Sequence, residues 1–121
     1  MSMDVQIRTG YFTTTVFDLQ ITSQAICFIR HGLKADESFV IDRQELREII
    51  IQKVMRVNTA IDICTTKRTY FGFFPTDDPS LALVAQSLYE YYGDLIQPPC
   101  SSWQELFALL TGGFLPESEE E

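Results

Sequence analysis

Apolar and polar residues alternate along most of the first 74 positions, which is the pattern of half-buried β-strands. Residues that favour strands, Ile, Val, Thr, Phe and Tyr, are common in this part of the chain, and it contains no proline. Glycines and short polar stretches separate the apolar runs and mark the turns. The pattern predicts strands over residues 5–9, 14–21, 24–31, 39–41, 58–64 and 69–74.

The segment 42–53 fits two patterns. Some of its apolar residues have helical spacing, whereas the run Ile49-Ile50-Ile51 is β-branched and favours a strand. We expect a short turn over 43–46 followed by a strand, with a helix as the alternative.

The apolar period changes to that of an amphipathic helix after residue 75. Asp78 is a suitable N-cap, Pro79 fits the first helical position, and Gly93 suits the residue that follows a helix end. The apolar positions between them recur every three or four residues. The sequence therefore predicts a helix over 79–92.

A second, shorter helix is predicted over 103–111, because Ser102 and Glu105 have the spacing of a capping box. Its apolar face consists of Trp103, Leu106, Phe107 and Leu110. The preceding Pro98-Pro99 linker would let this helix lie away from the body and hold a partner with that face. The alternative is that the helix packs on its own domain.

Length and composition indicate one folded domain. The chain has 121 residues, of which 45% are hydrophobic and 21% charged, close to the average of globular proteins. Its net charge is −8, and four of the acids lie in the last five residues, which leaves −4 for the rest of the chain. An acidic body is repelled by phosphate backbones and anionic membranes, so nucleic-acid binding and membrane contact are both disfavoured.

Cysteine use and the first residues of the chain favour a cytoplasmic protein. The three cysteines, Cys27, Cys64 and Cys100, are odd in number and widely spaced, as in a reducing compartment. The start MSMDVQIRTG does not have the pattern of a secretory signal, and no run of 18 apolar residues occurs.

No catalytic, metal-binding or cofactor-binding motif is present in the sequence, so we expect a non-enzymatic protein without a cofactor. The single histidine, His31, is expected to be a surface residue at a strand end. Cys27 and Cys64 fall in apolar strands, where cysteine acts as a small core residue. Cys100 precedes the second helix, whose dipole would favour a thiolate, so it is the only thiol considered for reactivity; we nevertheless expect it to be an unreactive structural cysteine.

Two basic clusters offer an alternative binding site. They consist of Lys53 with Arg56, and Lys67 with Arg68. If the sheet brought them together, they would hold an anionic lipid headgroup or a small anionic ligand; otherwise each is a solubilising surface charge.

The segment NTAIDICTTKRTYFGFF, followed by DDPSLALVAQSLYEYY, resembles the last strands and closing helix of the pleckstrin-homology-like (PH-like) superfold, which includes bacterial PH-like and GRAM-like domains. The resemblance implies an α+β fold: an antiparallel β-barrel or sandwich of six or seven strands, closed by a C-terminal amphipathic helix and followed here by a short extra helix. The implied organisation is a PH-like domain over 1–93, a linker and packed helix over 94–115, and an acidic tail over 116–121.

PH-like domains bind either phosphoinositides or proteins and peptides. Lipid-binding members carry several basic residues on the first two strands, and the matching region here, from Gln6 to Leu19, has only Arg8. The resemblance therefore implies an interaction domain that binds a protein or peptide partner, through a groove between sheet edge and helix or through the helix of Trp103. The aromatic-rich strands also allow a homodimer.

Overall fold

The computed structural model describes residues 3–112. Its strands are β1 Met3–Arg8, β2 Thr14–Ile21, β3 Ala25–Ile29, β4 Phe39–Asp42, β5 Leu46–Met55, β6 Asn58–Thr65, β7 Thr69–Pro75 and β8 Ile96–Gln97. The helices are α1 Leu81–Tyr92 and α2 Trp103–Thr111, and short 3-10 segments cover Gly32–Glu37 and Gly93–Leu95. The predicted acidic tail, 116–121, lies outside the described residues.

All eight strands belong to one sheet with the order β4-β3-β2-β1-β7-β6-β5-β8. Strands β1 to β4 follow one another as antiparallel neighbours, as do β5 to β7, and β1 joins the two groups by pairing with β7. The last strand, β8, is parallel to β5. The sheet is therefore mixed.

The predicted architecture of an α+β, antiparallel PH-like barrel or sandwich is wrong, because the chain folds as a mostly-sheet protein whose single sheet is not closed into a barrel. Strands β4 and β8 are its two edges. Among residues 3–112 no pairing joins these two edges, so the sheet remains open. Strand β8 lies in the segment 94–100, which was expected to be only a linker, and its parallel pairing with β5 makes the sheet mixed.

Each predicted strand overlaps an observed one, and the segment 42–53 forms a turn followed by a strand, as expected. The turn follows β4, and the amide of Glu45 donates to the carbonyl of Asp42 at 2.9 Å. Strand β5 begins at Leu46, and the register of its pairing with β6 shifts in two places. The helical alternative for this segment is excluded.

The sheet curls so that its first half approaches β7. Phe39 on β4 stacks on Tyr70 of β7 with 5.0 Å between ring centroids, although three strands lie between β4 and β7 in the sheet order. The concave face holds the core. Its largest fully buried strand residues are Ile7, Leu19, Ile26, Phe28, Ile41, Ile49, Ile61, Ile63 and Ile96.

Helix α1 covers this core with the face that its sequence spacing predicts, and Leu81, Val84, Ala85, Leu88 and Tyr92 are buried. The helix begins two residues later than predicted. The Asp78 carboxylate accepts a hydrogen bond from the amide of Ser80 at 2.8 Å, which holds a turn just before the helix.

Helix α2 packs on α1 and on β5, as part of the same body. Ser102 caps its start by accepting from the amide of Glu105 at 3.1 Å, and Gly112, at φ 73°, ends it in the left-handed conformation that favours glycine. At that end the buried hydroxyl of Thr59 on β6 donates to the carbonyl of Leu110. Both termini of the helix are thus held by specific hydrogen bonds.

Candidate functional site

The residues of α2 that were predicted to bind a partner are largely buried in the core of the domain itself. Leu106 and Leu110 are completely buried in the core. Trp103 and Phe107 are half-buried, pack against the same core, and contact each other edge to face at 6.3 Å. A partner would therefore meet only part of Trp103 and Phe107 unless α2 left the body.

The residues predicted for anion binding lie in two separate places. Lys53 and Arg56 belong to the β5–β6 hairpin, whereas Lys67 and Arg68 belong to the β6–β7 turn. On β6, Ala60 lies opposite Lys53 and Thr65 begins the turn. These two residues are five positions apart, which is roughly 17 Å along a strand. The four basic residues do not form one site.

A cavity of about 620 Å³ opens where the β1–β2 loop, the β3–β4 connection and the β6–β7 turn meet. Its floor is aromatic: Phe39 stacks on Tyr70 and lies edge-on to Phe17 at 5.2 Å. On one side lie the hydroxyls of Thr9 and Thr15, which share a hydrogen bond of 2.8 Å. The cavity thus combines flat apolar surface with a polar wall.

Two arginines give the mouth of this cavity its charge. Arg8 lies 5.8 Å from the ring centroid of Phe71, and Arg68 lies at the same distance from Tyr70. Between residues 3 and 112, neither guanidinium has a carboxylate within ion-pair distance. The carboxylate that lines the cavity, Glu37, forms ion pairs with Arg30 at 2.8 Å and with Lys34 at 3.9 Å. The mouth therefore favours an anionic group.

Three large apolar side chains project from the loops around the cavity. Tyr11 and Phe12 lie in the β1–β2 loop and are 88% and 92% exposed, and Leu33, between β3 and β4, is 100% exposed. The loops connect directly to cavity-lining residues, since Thr9 begins the first loop and Glu37 ends the 3-10 segment of the second. We call the cavity together with these three side chains the loop end.

The β1–β2 loop has a fixed shape. The amides of Thr9 and Gly10 both donate to the carbonyl of Thr13, at 3.1 and 3.3 Å, which closes the hairpin and forces the two residues between to project. The rings of Tyr11 and Phe12 contact each other edge to face at 5.0 Å. An apolar pair is thus presented to solvent on an ordered turn.

Sequence analysis did not identify the loop end. The sequence feature that could have revealed it is the pair Tyr11-Phe12, because these two aromatic residues lie between two predicted strands, where turn residues are usually polar. Leu33 gave a weaker signal beside Gly32. Arg8 was noted only as an isolated basic residue, because its proximity to Arg68 depends on the pairing of β1 with β7.

A second cavity, of about 460 Å³, lies between the end of α1 and residues 93–100. Its arginine, Arg43, belongs to the fold, because the guanidinium donates to the Ser23 carbonyl at 3.2 Å and lies 5.0 Å from the ring centroid of Tyr92. Burial raises the pKa of Tyr92, whose hydroxyl donates to the Thr22 carbonyl at 2.7 Å. Among residues 3–112, the only arginine that lines this cavity is therefore already engaged by contacts within the fold.

Neither His31 nor Cys100 lines the loop-end cavity: His31 lies two residues before Leu33, and Cys100 lines the second cavity. The imidazole of His31 is exposed, and its Nε2 lies 3.3 Å from a carboxylate oxygen of Asp18. Burial raises the pKa of the Cys100 thiol, and the nearby carboxylate of Glu105 raises it further. Because the thiolate is the reactive form, these surroundings oppose the activation that a helix dipole would provide.

Comparison with protein-family models finds no family that matches the chain, and comparison with curated proteins finds no matching relative. Within residues 3–112, no group of three or more His, Cys, Asp or Glu residues is arranged to hold a metal ion. In the same range, no helix has the length and apolar character needed to cross a membrane.

Proposed function

We propose that this protein is a non-enzymatic interaction domain that holds a protein or peptide partner at its loop end. The observation that carries the proposal is the exposure of Tyr11, Phe12 and Leu33 around one cavity. Single exposed apolar residues are common on protein surfaces, but a group of large ones beside a cavity marks an interaction site. Their burial against a partner would contribute roughly 1.5–3 kcal/mol for each side chain.

The cavity determines which kind of partner segment would bind beside these apolar side chains. A partner segment that carries an apolar or aromatic side chain fits the floor made by Phe17, Phe39 and Tyr70, and a neighbouring carboxylate would pair with Arg8 and Arg68. Such a segment contains both an apolar and an acidic residue. Aromatic and arginine side chains are also the types that contribute most energy at protein interfaces.

The experiment is a capture of partners from a native lysate by the full-length protein, compared with a variant carrying Tyr11→Ser and Phe12→Ser. Loss of two aromatic anchors is expected to weaken a loop-end partner by about 2 kcal/mol or more, roughly 30-fold. The matched control is Leu83→Gln, which alters a half-exposed apolar residue on α1. A partner that binds the control and not the double variant supports the proposal; equal binding by both contradicts it.

A second candidate function is the binding of a small anion in the cavity, favoured by the guanidinium groups of Arg8 and Arg68, neither of which has an ion-pair partner within residues 3–112. The same capture distinguishes the two. Binding that falls steeply as salt rises, is lost in Arg8→Gln with Arg68→Gln, and survives the loss of Tyr11 and Phe12 supports the small anion. Binding that requires the aromatic pair supports the protein partner.

A further inference from the structure

The tip of the β5–β6 hairpin is a second exposed surface, on a different part of the sheet from the loop end. Met55 and Val57 are 42% and 61% exposed there, beside the cations of Lys53 and Arg56. Arg56 has φ 51°, a left-handed conformation that non-glycine residues rarely adopt. Among residues 3–112, neither cation has a carboxylate within ion-pair distance. We call these four residues the hairpin tip.

Helix α2 ends against the same hairpin. The Cβ position of Gly112 lies 3.1 Å from Cγ2 of Val54, and Thr59 on the neighbouring strand holds the last turn of the helix. The following segment, 113–121, thus starts within about two residues of both Lys53 and Arg56 along the hairpin. Its nine residues can extend roughly 30 Å, and Val54, which Gly112 contacts, is the direct neighbour of Lys53 and lies two residues before Arg56.

The composition of segment 113–121 complements the hairpin tip. It carries Phe114 and Leu115, followed by four glutamates at positions 117 and 119–121. The tip offers two exposed apolar side chains and two cations that have no ion-pair partner in the part of the chain that the structure describes. Strand β8 pairs only with Ile49 and Ile50, so within the described residues the edge of β5 beside Val54 has no strand partner in the way. A segment leaving Gly112 therefore has an open path around that edge.

We propose that segment 113–121 binds the hairpin tip of its own chain, with its glutamates paired to Lys53 and Arg56 and its apolar residues against Met55 and Val57. Attachment at Gly112 keeps the segment at a high effective concentration, so a few weak contacts suffice for binding. The contact removes an exposed apolar and basic surface from competition for partners and leaves the loop end as the accessible binding surface.

The experiment uses the full-length protein labelled with nitrogen-15 and records its amide resonances. In a variant with Glu117, Glu119, Glu120 and Glu121 changed to Gln, the resonances of residues 53–57 are expected to shift. Raising the salt concentration of the unaltered protein is expected to move the same resonances in the same direction, because ion pairs at a surface are screened.

A charge exchange makes the test specific. Lys53→Glu with Arg56→Glu is expected to reproduce the shift. Changing the tail glutamates to Lys in that background is expected to return the resonances to their positions in the unaltered protein, because the ion pairs form again with their charges exchanged. The matched control, Lys67→Glu with Arg68→Glu, alters two basic residues of the β6–β7 turn and is expected to leave the tail resonances unchanged. Shifts confined to residues 113–121, or shifts that depend on protein concentration, would overturn the proposal. Because the readout lies on the hairpin tip, failure here leaves the loop-end proposal intact.

Discussion

Replacement of Phe28 by alanine is expected to lower the free energy of unfolding by about 3–5 kcal/mol. Phe28 is completely buried on β3, stacks on Phe39 with 4.6 Å between ring centroids, and meets Phe17 edge to face at 6.2 Å. The substitution removes the ring from a packed aromatic group and leaves a cavity. Because Phe39 and Phe17 form the floor of the loop-end cavity, the variant is also expected to bind a loop-end partner more weakly.

Urea unfolding, followed by circular dichroism, measures the first part of this prediction. The matched control is Phe12→Ala, which removes the same ring from a position that is 92% exposed and should change stability by less than about 0.5 kcal/mol. A similar loss in the two variants would mean that Phe28 does not occupy the centre of the core.

Replacement of Leu106 by alanine is expected to lower the free energy of unfolding by about 2–5 kcal/mol. Leu106 is completely buried where α2 packs on the core. The size of the effect distinguishes two roles for α2. If the helix is part of the folded body, loss of its buried leucine destabilises the whole domain; if the helix is a separate docking arm, the substitution leaves the stability of the domain unchanged.

Thermal or urea unfolding of this variant is compared with that of Gln104→Ala, which changes an exposed residue on the same helix. Stability of the Leu106 variant within about 0.5 kcal/mol of the control would place α2 outside the cooperative unit. It would also return the full apolar face of Trp103, Leu106, Phe107 and Leu110 to consideration as a partner-binding surface.

The secondary structure follows from local patterns in the sequence. Alternation over 14–21 predicts β2 with its observed bounds, and the helical period after residue 78 predicts the buried face of α1. Each of these elements has one apolar face that must be buried, so the order of apolar and polar residues within the element determines which side chains are buried. Element positions were therefore predictable.

The way in which the sheet ends was not predictable, because it depends on contacts between distant segments. Ile96 and Gln97 form a strand of two residues between a 3-10 turn and Pro98, too short for any periodicity to appear. Ile96 is nevertheless buried, and it pairs with β5 in parallel. A strand of two residues thus makes the sheet mixed, where the resemblance implied an antiparallel one.

The candidate site was missed for a related reason. Basic residues were grouped by their spacing in the sequence, but Lys53 on β5 lies opposite Ala60 near the start of β6, and Arg68 lies in the turn after the end of β6. Arg8 and Arg68, however, line one cavity. Sequence distance predicts neighbours within a strand or helix and not across a curled sheet. Tyr11 and Phe12, in contrast, were visible as an aromatic pair in a turn.

The most direct test of the loop end as the binding surface is photo-crosslinking from inside it. Phe12 is replaced in the full-length protein by benzoylphenylalanine, and the protein is irradiated in a native lysate; a second protein carries the same group in place of Leu83 on α1. We predict a discrete covalent adduct with a partner from position 12 and none from position 83. No adduct from position 12, or the same adducts from both positions, would contradict the assignment of function to the loop end.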